Sequence, residues 1–146
     1  MDTLSYKTLS ANKETANKQW FVVDAEDQIL GRLAAKVASV IRGKNKAIFT
    51  PNMDAGDFVI VVNADKIKLT GKREQQKTYF SHSGYPGGVT NTSYLEMKAK
   101  KPEFIIHNAV KGMLPKNRLG RQLIKKLKVY TGTEHPHKAQ LPEQLS

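Results

Sequence analysis

The chain contains no cysteine in its 146 residues. A disulfide scaffold, a thiol nucleophile and every cysteine-based zinc site are thereby excluded, and a reducing compartment is the natural setting. No apolar run approaches the roughly 20 residues that span a bilayer. The N-terminal stretch MDTLSYKTLSANKETANK is polar and has no signal-peptide h-region. A cytosolic protein without membrane contact is the expectation. Acids are scarce too: 13 Asp and Glu face 24 Lys and Arg, for a net charge of +11. Residues 28–53 hold no carboxylate, nor do residues 104–133. So basic a balance points to a polyanionic partner, nucleic acid first, because the field attracts phosphate and contact releases counterions.

Motifs of small-molecule chemistry are missing as well. LTGKRE and IRGKNK each hold Gly-Lys, but neither has a following Ser or Thr or a Gly five residues earlier, so neither is a phosphate-binding Walker loop. GYPGG lacks the spacing of a dinucleotide fingerprint and does not join a first strand to its helix. Glu134, His135 and His137 in EHPHK lack a fourth ligand for a metal. His107 either packs or faces water. The acids are scattered, and Asp54, Asp57 and Asp65 read as turn and strand-end residues. No nucleophile-base-acid set or carboxylate pair emerges. The expectation is no enzyme, no cofactor, no metal and no small-molecule substrate.

What is present is an alternation of strand and helix signals over a length that suits one domain. WFVVD (20–24) is a buried-strand run, and AEDQ a turn. Leu30, Leu33, Ala34, Val37, Val40 and Ile41 recur at helical spacing, with Gly43 placed to cap the C-terminus. DFVIVVNA (57–64) is a second buried strand; KIKLTG and KTYFS are shorter candidates. SHSGYPGGVTNT (81–92) reads as an irregular loop in which Gly84, Gly87 and Gly88 permit positive φ or close approach. Pro102 suits the first turn of a helix whose stripe is Ile105, Ile106, Ala109, Val110 and Met113. Pro115 breaks that run, Asn117 caps a new helix through RLGRQLIKKLK, and VYTG is a last strand. This order implies an α/β fold with a mostly parallel sheet flanked by helices. The expected divisions are an arm over 1–18, a domain over 19–133 and a tail over 134–146.

The cations fall into patterns. Arg42, Lys44 and Lys46 follow a helix end; dipole compensation needs fewer than three, which favours phosphate contact. On a helical wheel with Arg118 at 0°, Arg121, Lys125 and Lys128 fall within an arc of about 80°. Leu119, Leu123, Ile124 and Leu127 occupy the core side. Lys126 stands apart at about 80° and offers an internal control. Like charges at helical spacing repel, and a polyanion against the row removes that repulsion. His82, near Tyr79 and Tyr85, is either a base or phosphate contact or an ordinary loop histidine.

The same stretch, VKGMLPKNRLGRQLIKKLKVYTGTEHPH, closely resembles the bacterial form of the large-subunit ribosomal protein thirteen family. The resemblance runs upstream through WFVVDAEDQILGRLAAKVASVIRGKNK, TYFSHSGYPGG and KKPEFIIHNAVKGMLP, over nearly all of residues 20–137. It implies a three-layer α/β/α domain around about four parallel strands. It also implies a structural component of the large ribosomal subunit, bound to large-subunit rRNA beside neighbouring ribosomal proteins and added early in assembly. The candidate RNA contacts are Arg32, Arg42, Lys44, Lys46, Lys72, Arg73, Tyr79, His82, Lys111, Lys116, Arg118, Arg121, Lys125 and Lys128. The alternatives are a free-standing or regulatory RNA binder and an enzyme working on a nucleotide at the edge of the α/β sheet.

Overall fold

Four parallel strands form the central sheet, side by side in the order β5 (Leu127–Val129), β2 (Phe58–Val62), β1 (Trp20–Asp24) and β6 (Glu143–Gln144). The structure is a computed structural model and describes residues 10–12 and 14–145. Most of the arm expected over residues 1–18 therefore lies outside the described residues. Strand β1 (Trp20–Asp24) runs beside β2 (Phe58–Val62), with Trp20 opposite Phe58 and Asp24 opposite Val62. β2 pairs in turn with β5 (Leu127–Val129), placing Val59 opposite Leu127.

Side chains alternate across a strand, so each run of β-branched residues feeds both faces. Val23, Val59, Val61 and Leu127 share one buried cluster with Leu33, Val37 and Ile41 of α1 (Leu30–Arg42). Ile105, Ile106 and Val110 of α4 (Pro102–Met113) complete it. On the other face Trp20 stacks on Phe58, with ring centroids 4.4 Å apart. His137 tilts against Trp20 and pairs with the Tyr130 hydroxyl at 2.9 Å, so the C-terminal segment covers this side. The fold is α/β, with a parallel four-stranded sheet and helices against it, consistent with the three-layer class. No helix among the described residues is long and apolar enough to cross a membrane.

Local signals held where they were strongest. β1 and α1 lie where the patterns placed them, and Gly43 closes α1 in the left-handed conformation at φ 81°. Other expectations need correction. KIKLTG contributes only an isolated bridge between Lys68 and Ile29. KTYFS is a strand as expected, but it belongs to a separate antiparallel hairpin, β3 (Thr78–His82) with β4 (Val89–Ser93), so both ends of the expected loop are strand. Within its turn Gly84 and Gly87 take positive φ, and Gly88 does not. Two helices were not expected, α2 (Arg73–Gln76) and α3 (Tyr94–Lys100). The Ser93 hydroxyl accepts the Glu96 N–H at the start of α3, a capping-box signal present in the sequence. Met113, assigned to the α4 stripe, is 48% exposed. In the tail, β6 (Glu143–Gln144) pairs with Phe21 and Val22.

The largest correction concerns the last helix. α5 spans only Arg118–Leu123, a 3-10 turn follows over Ile124–Lys126, and the chain is extended from Leu127. Leu127 fits both a helical stripe and a strand alternating with Val129; pairing with β2 decides for the strand.

Candidate nucleic-acid interface

Between α4 and α5 the backbone turns tightly. Asn117 Oδ1 accepts the Gly120 N–H at 2.8 Å and caps α5 as expected. A Cβ at position 120 would lie 1.8 Å from the Pro115 carbonyl oxygen, so only glycine lets the turn close. This closure sets α5 beside the C-terminal half of α4 and makes their cations converge.

The result is an open cleft of about 650 Å³. α4 supplies His107 and Lys111, α5 supplies Arg118, Arg121 and Gln122, and the 3-10 turn supplies Ile124 and Lys125. A second cavity of about 220 Å³ shares Lys111 and Arg121 and adds Lys116. Among the described residues no carboxylate lines either one. Five of the expected cations thus share one continuous surface, drawn from several elements. Burial and then the neighbouring Lys111 lower the His107 pKa, so its imidazole is neutral at pH 7 and serves as a hydrogen-bonding group. The sequence reading of His107 is a side chain that packs or faces water, although a spacing of four from Lys111 puts both on one helical stripe.

Lys128 is not in that group. It sits on β5 between Leu127 and Val129, which belong to or pack against the helix-side core, so it points to the opposite face of the sheet. Lys126, expected only to turn away from the row, is buried at 4% exposure. Its ammonium donates to Asp54 and to the Gly56 carbonyl, the latter at 2.7 Å.

The remaining candidates scatter. Lys46 turns inward and pairs with the fully buried Asp57 at 2.5 Å. The Asp57 Oδ1 also accepts the Gln19 N–H at 2.9 Å. The Arg42 guanidinium lies over Phe49 at 5.8 Å, while Lys44 beside it is exposed. Arg32, Lys72 and Arg73 are exposed on other elements. Tyr79 is buried at 8% exposure with its ring edge-on to Phe104; burial and then Tyr94 push its pKa up to about 12. That is a core role. His82 is exposed, and its Nδ1 accepts the Gly84 N–H at 2.8 Å within the turn.

A model of the family described as ribosomal protein L13 matches residues 18–136. The chain belongs to the ribosomal protein L13 family. The large ribosomal subunit protein uL13 of Trichlorobacter lovleyi is 59% identical over 140 residues, covering 96% of this chain and 99% of the relative. The uL13 proteins of Maridesulfovibrio salexigens and Dictyoglomus thermophilum are each 59% identical, over 139 and 140 residues. They cover 95% and 96% of this chain, and 98% and 99% of their own length. In this L13-family chain the matched span contains the whole α4–α5 cleft and leaves β6 outside.

Proposed function

We propose that this L13-family protein is a structural constituent of the large ribosomal subunit. It binds large-subunit rRNA, chiefly through the α4–α5 cleft, and supports early assembly of the particle in the cytoplasm beside neighbouring ribosomal proteins. It is a structural protein and not an enzyme. The observation that carries the binding mode is the cleft itself, where Lys111, Arg118, Arg121 and Lys125 surround one concavity without a carboxylate. Phosphate in that space neutralises mutual repulsion that no carboxylate among the described residues offsets there. Lys116, Lys44, Arg32, Lys72, Arg73 and His82 are exposed and extend the contact around residues 19–133.

Sedimentation tests the assignment. The tagged protein should co-migrate with the large subunit through a gradient and stay there after a high-salt wash, as an integral component does. Release into the supernatant by the wash would identify a free-standing RNA binder instead.

A further inference from the structure

A third concavity, of about 530 Å³, opens at the sheet edge between β5 and the start of α4. His107 lines both this cavity and the cationic cleft, so the two are adjacent. Phe104 forms part of its wall at 40% exposure. The ring is held edge-to-face against the buried Tyr79, with centroids 5.7 Å apart. An aromatic face fixed from behind and open in front is a stacking platform. Lys100 and Lys101 stand on the rim with Glu103, and Lys100 is shared with Glu96 at 2.5 Å.

The cavity also offers polar groups for a planar ligand. Tyr130 donates its N–H to Val61 at 2.8 Å, and the Tyr130 and Gly132 carbonyls accept from Ala64 and Asn63 at 3.1 Å. Peptide groups alternate sides along an extended chain, so that of Val129 faces away from β2, on the side of the cavity that it lines. β5 is the sheet edge but only three residues long, a poor template for adding a polypeptide strand.

We infer that this cavity receives an unpaired nucleotide of the RNA held in the cleft, its base stacked on Phe104. The inference rests on the cleft reading of the proposed function. Aromatic stacking adds affinity without adding phosphate contacts, which separates the two experimentally.

The test titrates transcribed large-subunit rRNA with the full-length protein over a salt series and maps ultraviolet crosslinks. Phe104→Ala should weaken binding about tenfold at every salt concentration, leaving the slope unchanged. The crosslink from the α4 peptide to one nucleotide should vanish. Phe104→Trp should restore both, which excludes a folding defect. Arg121→Gln, run in parallel, should lower the slope and keep that crosslink. Binding by Phe104→Ala within about twofold of the parent would overturn the nucleotide site, whatever Arg121→Gln does. So would a crosslink from this peptide to a polypeptide in the assembled subunit. An unchanged slope in Arg121→Gln would count against the cleft alone.

Discussion

Replacing Lys126 by methionine should lower the free energy of unfolding by about 3 kcal/mol, although it removes a cation from the most basic stretch of the chain. The ammonium bridges the Asp54 carboxylate and the Gly56 carbonyl and lies 5.7 Å from the centre of the Phe58 ring. Burial lowers the Lys126 pKa, and hydrogen bonding to Asp54 opposes it. At Asp54, burial raises the pKa, but hydrogen bonds from Lys126 and Lys18 prevail and hold it below the usual carboxylate value. Removing the lysine leaves a half-buried carboxylate with one partner, Lys18, at 3.0 Å. The loss should be visible as a lower urea midpoint. Asp54→Asn combined with Lys126→Met should lose less than the two single changes summed, because no charge is then stranded. A carboxyl with a depressed folded pKa contributes stability above its unfolded pKa and forfeits it as pH falls through the folded value. The parent and Asp54→Asn should therefore converge in stability below about pH 4. A Lys126→Met midpoint equal to the parent's at neutral pH would contradict the buried bridge.

Gly56→Ala should be at least as damaging, at about 3 kcal/mol or more. A Cβ there would fall 1.7 Å from the Ile41 carbonyl oxygen and 2.4 Å from its carbon. Both are backbone atoms at the end of α1, so nothing flexible can move aside. The Asp57 N–H bonds to the Val40 carbonyl at 3.2 Å, which holds the two segments in register. Displacing them would also withdraw the Gly56 carbonyl from Lys126. Thermal unfolding should shift down by roughly 10 °C or more. Gly31→Ala is the matched control. That position is exposed on α1 with nothing within 4 Å of the added carbon, so it should gain up to about 1 kcal/mol. If Gly56→Ala melts with the parent, the segment before β2 does not pack on α1 as described.

The contrast between Arg121 and Lys126 shows which features the sequence made legible. β1, α1, the Pro102 start of α4 and the Asn117 cap all announce themselves within a few residues. Their local preference and tertiary role agree. The end of α5 does not, because Leu119, Leu123 and Leu127 keep a helical rhythm through the residue where pairing with β2 takes over. β6 has no apolar run at all and exists only through its pairing with β1. At the site, Arg118, Arg121 and Lys125 could be grouped by spacing alone. Lys126 could not be placed, since its carboxylate partner lies 72 residues away. Lys46 was drawn inward by Asp57 for the same reason. A helical wheel sorts faces within one element and is blind to long-range ion pairs.

The cleft is tested most directly by the salt dependence of rRNA binding, measured side by side for Arg121→Gln and Lys128→Gln. Arg121 lines the acid-free concavity, and Lys128 lies on the far face of the sheet. Removing one phosphate contact should reduce the slope of log affinity against log salt by about 0.7 to 0.9. Arg121→Gln should show that reduction with little change in stability, and Lys128→Gln should show a much smaller one. Equal reductions at both positions would contradict the cleft and leave general positive charge as the basis of binding.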